Sequence, residues 1–137
     1  MKHRERLASA RVARLATVGR TGAPHIVPIT FATDGERIVT GIDHKPKRSE
    51  RLQRLSNIAA DPRVAVLADH YQEDWSRLWW VRADGIAAVV DPGEAGHDEA
   101  CELLAAKYDA YRLHPISGPV IDIRVARWSG WSAADDS

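Results

Sequence analysis

Residues 43–62, DHKPKRSERLQRLSNIAADP, decide how the chain is organised, because they place one basic helix between two groups of strand-forming segments. Between residues 45 and 54, which we call the basic segment, five cationic side chains face a single carboxylate, so the local charge is +4. The whole chain has 19 basic and 19 acidic residues and is neutral. A neutral protein that gathers positive charge in one place is suited to a localised anion, not to a long polyanion.

The residue pattern of this stretch predicts a helix with Ser49 as its N-cap and the Asp61-Pro62 pair as its end. The N–H groups of the first helical turn have no partner inside the helix and carry the positive end of its dipole. A phosphate group can therefore bind there, with Lys47 and Arg48 as clamps. The alternative is a solvated basic helix face, which Glu50 favours because its carboxylate already complements the dipole.

Length and composition predict a single domain over residues 1–137, large enough to bury a hydrophobic core. The single cysteine, Cys101, excludes an internal disulfide and a site built from several thiolates. No N-terminal apolar run precedes a cleavage site, and no apolar stretch is long enough to cross a bilayer. We therefore expect a cytoplasmic protein that is not inserted in a membrane.

Hydrophobic patterning predicts six strands and three helices. The strands are expected at residues 11–18, 24–33, 37–42, 63–70, 78–90 and 120–128, and the helices at residues 2–10, after Ser49, and 94–111. A glycine at each end of residues 19–22 suits a hairpin turn, and Asp84-Gly85 predicts a bend in the fifth strand. Pro24 and Pro28 lack the N–H of a ladder, which puts them at a strand start, an edge or a bulge.

This order contains too many consecutive strands for a doubly wound α/β fold. A mainly β fold with flanking helices, a six-stranded antiparallel barrel, satisfies the pattern because closure removes exposed strand edges.

Other chemistries find little support in the sequence. It contains no P-loop, no dinucleotide-binding glycine pattern and no nucleophile elbow. Metal binding by His70 with Asp69, Glu73 or Asp74 matches no known ligand spacing, so no metal site is predicted. Cys101 lies on the apolar stripe of a predicted helix and is expected in the core. Neutrality and the acidic third helix count against nucleic-acid binding.

Three pieces of the chain resemble one protein family. They are GAPHIVPITF (residues 22–31), DPRVAVL (residues 61–67) and DHYQEDWSRLWWVRADG (residues 69–85). The chain resembles the split β-barrel flavin and deazaflavin reductases related to pyridoxamine 5'-phosphate oxidase, and in particular their actinobacterial branch that uses coenzyme F-420. The likeness extends from Arg11 to Trp128, and the third piece is specific to one subgroup.

The resemblance implies a homodimer that binds its cofactor in a groove at the dimer interface. It assigns the cofactor phosphate to Lys45, Lys47, Arg48 and Ser49, with Arg51 or Arg54 close by. It places the tricyclic ring along Val27, Pro28, Ile29, Thr30 and Phe31, with Thr40 and Gly41 on the neighbouring strand. Trp79 and Trp80 alternate faces of one strand, so at most one of them can face the ring. Trp128 and Trp131 are candidates to close the groove from the partner subunit. The basic segment is longer than the compact lysine turn of the flavin oxidases.

The activity implied by this likeness is hydride transfer between F-420, an 8-hydroxy-5-deazaflavin, and an activated double bond of a small enone or quinone. No side chain is assigned as catalytic, because water can supply the proton; His25, His70 and Tyr71 are the candidates if a side chain does so. FMN is the alternative cofactor, since it also presents a phosphate and a planar tricycle. A further alternative is a protein that binds a cofactor or a tetrapyrrole without turnover.

Overall fold

The structure is a computed structural model that describes residues 2–42 and 48–134, with the side chains of residues 3–42 and 53–134. The strands form one antiparallel sheet, against which the helices pack. In chain order the elements are α1 (Lys2–Ser9), β1 (Ala13–Val18), β2 (Pro24–Ile29), β3 (Ala32–Thr33), β4 (Arg37–Gly41), α2 (Arg48–Ala60), β5 (Arg63–His70), a 3-10 turn (Trp75–Arg77), β6 (Trp79–Val90), α3 (His97–Lys107), α4 (Asp109–Leu113) and β7 (Val120–Ser132). The strand order across the sheet is β2-β1-β5-β6-β7-β4-β3.

The sheet has seven strands where the sequence predicts six, because the second predicted strand is broken after Ile29. Its two parts, β2 and β3, lie at opposite edges of the sheet. Ile29 and Ala32 are three residues apart, so the chain can span only about 11 Å between them. The two edges are therefore close in space, and the sheet is a curled half-barrel.

The backbone at the break finds hydrogen bonds outside the strand ladder. The Phe31 N–H donates to the Tyr108 hydroxyl at 3.2 Å, and that hydroxyl donates to the Arg11 carbonyl oxygen at 2.9 Å. The Thr40 hydroxyl donates to the Thr30 carbonyl oxygen at 2.7 Å. Side chains from distant parts of the chain thus satisfy backbone groups that would be costly to bury without partners.

Two hydrophobic clusters lie on opposite faces of the sheet. Ile38 belongs to one and its neighbour Val39 to the other, as the alternation along a strand requires. On the inner face, Leu7 of α1 and Ile58 of α2 join the larger cluster. On the outer face, α3 contributes Leu104 and covers the end of the sheet formed by β3 and β4.

Two of the predicted helices differ from those observed. The expected helix over residues 94–111 begins only at His97, after the left-handed Gly96, and is divided into α3 and α4 because Tyr108 is extended. The second helix begins at Arg48, so Ser49 lies in its first turn and not at its N-cap. A difference of one residue is within the ordinary uncertainty of helix ends.

The last two strands pair more extensively than the sequence predicts. The final strand runs to Ser132, four residues beyond the predicted end, because residues 129–132 pair with the first four residues of β6, Trp79 to Arg82. The predicted bend at Asp84-Gly85 is confirmed as a shift of register between β6 and β7. Pro24 begins β2 and Pro28 lies in the same edge strand, in agreement with two of the three positions allowed for them.

Asp61, between α2 and β5, predicts how the protein responds to acid. The Arg63 side chain donates to its carboxylate at 3.0 and 2.7 Å, and the Arg63 N–H donates at 3.1 Å. These hydrogen bonds lower the pKa of Asp61 to about 2. Because the pKa in the unfolded chain is about 3.9, the ionised group stabilises the fold above that pH, and this contribution is lost as the pH falls towards 2.

We therefore expect the melting temperature of an Asp61→Asn variant to fall below that of the wild type at about pH 5 and to converge with it as the pH falls to about 2 and below. Thermal unfolding followed by circular dichroism across this range measures the difference. A gap that stays constant over the whole pH range would show that the Asp61 charge does not contribute.

Candidate cofactor-binding site

A buried polar contact fixes helix α2 to the sheet. The Asn57 side-chain amide donates to the Thr17 hydroxyl at 3.0 Å, and both residues are buried. The Gln53 amide donates to Asn57 Oδ1 at 2.7 Å. A Cβ atom at Gly19 would lie 2.7 Å from that oxygen, so only glycine lets the strand end come this close to the helix. The C-terminal half of α2 is thus held in place, which sets the direction in which its N-terminus points.

The structure describes the predicted phosphate ligands only in part. Lys45 and Lys47 lie outside the described residues. Arg48, Ser49 and Arg51 belong to the first turns of α2, whose backbone is described. Arg54 follows one turn later and is half-buried. The helix begins at Arg48, seven positions after the end of β4 at Gly41, and the assignment of a phosphate to these side chains stays a prediction.

The predicted ring-lining residues lie together around the strand break, with unequal exposure. Pro28 is exposed, and Val27, Thr30 and Gly41 are half-buried. Ile29, Phe31 and Thr40 are buried, with at most 5% of each accessible. In this arrangement the side chains of Pro28, Val27 and Thr30 are accessible to a ligand. The buried side chains of Ile29, Phe31 and Thr40 pack inside the protein.

Gly41 is covered by the loop before β7. A Cβ atom at Gly41 would lie 2.7 Å from Cδ1 of Ile116. The backbone of β4 is thus approached closely by that loop just before the chain enters the basic segment.

The four tryptophans considered for the site occupy two faces of the sheet. Trp79 lies across from His70, with the two rings stacked at 6.4 Å, and packs against the inner cluster. Trp80 lies across from Trp131 on the other face, so the predicted alternation of Trp79 and Trp80 is confirmed. Trp128 packs against the inner cluster, and the Arg4 guanidinium of α1 lies 5.8 Å from its ring. The proposed role of Trp128 and Trp131 in a partner's groove stays a prediction.

The candidate proton donors occupy different environments. His70 is exposed, and its Nε2 lies 2.6 Å from Oε1 of Gln72. Tyr71 is 64% exposed on the connection between β5 and β6. His25 lies on β2 across from Thr17, on the side of the sheet that faces the core. His70 and Tyr71 are consecutive at the end of β5, whereas His25 lies on β2. None of the three is assigned a catalytic role.

Cys101 and its surroundings offer no nucleophile. Burial, reinforced by the nearby Asp98 carboxylate, raises the pKa of the thiol, which keeps it protonated. Its sulfur lies 3.7 Å from Nδ1 of the buried His97, whose Nε2 contacts the Gly118 carbonyl oxygen at 2.8 Å. This contact links α3 to the loop before β7. Within residues 2–42 and 48–134, no three histidine, cysteine or acidic side chains are grouped so as to hold a metal ion.

An open depression of about 330 Å³ lies elsewhere, between the β3–β4 turn and α3. Arg37 is its single cation and is already paired with Asp122 at 3.0 Å and with Asp34 at 3.4 Å. The lining residues are Asp34, Arg37, Glu99, Glu102, Leu103 and Ala106. Its net negative charge disfavours a phosphate, so this depression does not compete with the basic segment as a cofactor site.

Sequence reasoning missed the side chains that close the strand break. Tyr108 and Tyr111 were not among the candidate residues, but the Tyr108 hydroxyl accepts from the Phe31 N–H at 3.2 Å and the Tyr111 hydroxyl lies 2.7 Å from the Thr30 hydroxyl. Asn57 was likewise not singled out. An asparagine on the apolar face of a predicted helix was the available signal for a buried hydrogen bond between helix and strand. No spacing in the sequence connects the two tyrosines to residues 30 and 31.

Comparison with known proteins gives one family and one partial relative. A family model described as pyridoxamine 5'-phosphate oxidase matches residues 1–132. A 5a,11a-dehydrotetracycline/5a,11a-dehydrooxytetracycline reductase of Streptomyces rimosus is 42% identical over 59 residues, which are 41% of this chain and 38% of the reductase. The chain therefore matches well under half the length of that relative.

Solved structures of the same fold extend over nearly the whole chain. Rv2991 of Mycobacterium tuberculosis superposes with a TM-score of 0.69 at 24% identity, covering 96% of this chain and 83% of that one. A FAD-binding protein of Mesorhizobium loti gives 0.68 at 22%, covering 94% and 91%. HutZ, a haem storage protein of Vibrio cholerae, gives 0.67 at 13%, covering 96% and 89%. At these identities the likeness establishes the split-barrel fold alone.

Proposed function

Because the chain belongs to the pyridoxamine 5'-phosphate oxidase family, we propose that it is an oxidoreductase that binds coenzyme F-420 and reduces an activated double bond in a small molecule. The family includes oxidases, and the partial relative is a reductase by name, so both support redox chemistry. The choice of the deazaflavin rests on the residues 69–85 resemblance and on the basic segment.

The observation that carries the proposal is the position of helix α2. It begins at Arg48, seven positions after β4 ends at Gly41, and the Asn57–Thr17 contact holds its far end on the sheet. Free N–H groups of its first turn, together with Lys45, Lys47, Arg48 and Ser49, would bind the phosphate of the cofactor. Arg51 or Arg54 would add charge one turn later. The residues present thus fit a phosphate group.

The proposed site is completed by a second copy of the chain. Part of the outer sheet face is not covered by α3 and carries exposed apolar residues among charged ones, since Leu67 lies between Arg14 and Arg82 and Ile86 lies across from Arg63. Among them Ile26 is 65% exposed, Ile86 50% and Leu67 37%. Trp80 and Trp131 lie on the same face. A sheet face of this kind is characteristic of an interface, and a homodimer would place two cofactor sites at its seam.

In the proposed reaction, bound F-420 would supply the hydride from its C5 atom. The protein's own contribution is to hold the phosphate at α2 and to offer the strand break as a flat surface that excludes water on one side of the ring. Water, or one of His25, His70 and Tyr71, would supply the proton. Geometry selects none of these.

Two other functions would use the same start of α2 and the same strand break. FMN would place its phosphate on the same helix start, and relatives of this fold include proteins named for FAD and haem binding. A binding protein without turnover, for a flavin or a tetrapyrrole, is the remaining candidate.

The test of the proposal is turnover under anaerobic conditions. We expect reduced F-420 to be oxidised in the presence of the protein and an enone or quinone, seen as a rise of deazaflavin absorbance that depends on protein concentration. Reduced FMN in place of F-420 identifies the alternative oxidoreductase. Cofactor binding without oxidation by any acceptor would contradict the proposed reaction and favour the binding-only function.

A further inference from the structure

Two cationic side chains converge on one aromatic ring beside the strand break. The Arg11 guanidinium carbon lies 4.6 Å from the centre of the Tyr108 ring, and Nζ of Lys107 lies 5.3 Å from the same centre. Lys107 Nζ also lies 3.8 Å above the ring of Phe31. The chain thus brings together a cation from the α1–β1 connection and one from the end of α3.

These two cations have no carboxylate partner among the described side chains of residues 3–42 and 53–134, whereas other cations of the chain do. Arg63 is paired with Asp61, and Arg37 with Asp122. Lys107 instead donates to the Ala10 carbonyl oxygen at 2.7 Å, and Arg11 donates to the Lys107 carbonyl oxygen at 3.2 Å. Carbonyl oxygens and aromatic rings solvate a cation but do not neutralise it, so this region keeps two positive charges.

The environment of Lys107 is costly for a charged group. The side chain is half-buried, and burial, with a smaller effect of the neighbouring Arg11 charge, lowers its pKa to about 8. An anion that contacts Lys107 would reverse both effects, because it would replace the lost hydration and offset the neighbouring Arg11 charge.

Donors remain available for such an anion. An ammonium group has three N–H donors and a guanidinium five, and each group uses one in the hydrogen bonds above. Arg11 is exposed, so the site opens to solvent on its side. The Tyr111 hydroxyl, 2.7 Å from the Thr30 hydroxyl, adds a polar edge close to the same ring.

We propose that Arg11 and Lys107 form an oxyanion-binding site, for a carboxylate or a phosphate group, separate from the basic segment. This site does not depend on the proposed cofactor, because its residues belong to the α1–β1 connection, to α3 and to the strand break. A substrate carboxylate and a free inorganic anion share the chemistry that it recognises.

The experiment compares melting temperatures in phosphate, acetate and chloride at equal ionic strength. Phosphate also stabilises proteins by exclusion from their surface, so the difference between variants is what counts. We expect phosphate to raise the melting temperature of the wild type by about 3 °C more than chloride does. The increment should fall by at least half in Lys107→Met and Arg11→Gln, and should be unchanged in the control Arg20→Gln, which removes an exposed arginine of the β1–β2 turn. The acetate arm shows whether a carboxylate alone is sufficient.

Two further measurements keep the outcome decisive. A Lys47→Ala/Arg48→Ala variant removes the predicted phosphate clamps. In this background, Lys107→Met should still reduce the extra rise in melting temperature that phosphate causes relative to chloride. In the wild type, phosphate should raise the pKa of Lys107 followed by NMR, a readout that requires no variant to fold. Equal increments in all variants together with an unchanged pKa of Lys107 would overturn the proposal.

Discussion

A Gly85→Ala variant is expected to be less stable than the wild type by roughly 3 kcal/mol, because the fold leaves no space for a methyl group there. Gly85 lies at the register shift between β6 and β7. A Cβ atom at this position would overlap the Arg124 carbonyl oxygen and lie 2.9 Å from Cγ2 of Ile123. Both neighbours belong to the central strand pair, and a backbone carbonyl cannot turn aside as a flexible side chain can.

A Gly118→Ala variant is the matched control. A Cβ atom at Gly118 meets no other atom within 4 Å, so alanine there should change the stability by less than about 0.5 kcal/mol. Thermal or urea unfolding of the two variants measures the difference, which corresponds to a fall of about 10 °C in the melting temperature of Gly85→Ala. Equal stability of the two variants would show that the strand pair is not packed as described.

A Lys47→Ala/Arg48→Ala variant is expected to bind the cofactor at least tenfold more weakly, at about 1.4 kcal/mol per factor of ten. The reason is the loss of two charge-assisted contacts to the phosphate, while the N–H groups of α2 remain. Fluorescence titration with F-420, or absorbance titration with FMN, measures the change. An Arg20→Ala/Arg77→Ala variant also removes two positive charges, one from the β1–β2 turn and one from the 3-10 turn, both outside the predicted site. It should bind the cofactor as the wild type does.

Raising the salt concentration separates the contribution of the Lys47 and Arg48 charges to the cofactor affinity from that of the α2 N–H groups. The charge contributed by Lys47 and Arg48 is screened by salt, so the gap between wild type and variant should narrow. Unchanged affinity in the variant at low salt would remove the phosphate assignment, although the fold and the family would stand.

Local patterns were sufficient to predict most of the secondary structure. Alternation of apolar residues predicted β5 at residues 63–70 without error, and Asp84-Gly85 indicated the irregularity in β6. These features depend on neighbours in sequence. The charge count of the basic segment likewise required only local residues.

Features that depend on distant contacts were not predictable in this way. The break after Ile29 is stabilised by Tyr108 and Tyr111, which contact residues 77 and 81 positions away. The extension of β7 to Ser132 requires its pairing with β6. For the same reason the exposure of the candidate ring-lining residues followed only from the fold, since Val27 and Ile29 are both β-branched and apolar, yet Val27 is half-buried and Ile29 is buried.

No helix in the described ranges is long and apolar enough to span a bilayer. The proposed second copy of the chain is argued from the exposed apolar residues of the outer sheet face, Ile26, Leu67 and Ile86.

The most direct test of the account is equilibrium titration of the purified protein with F-420, FMN and haem in parallel. We expect saturable binding of F-420 with a change in its fluorescence, at one cofactor per chain, and weaker binding of FMN. Binding of haem with no response to either F-420 or FMN would contradict it.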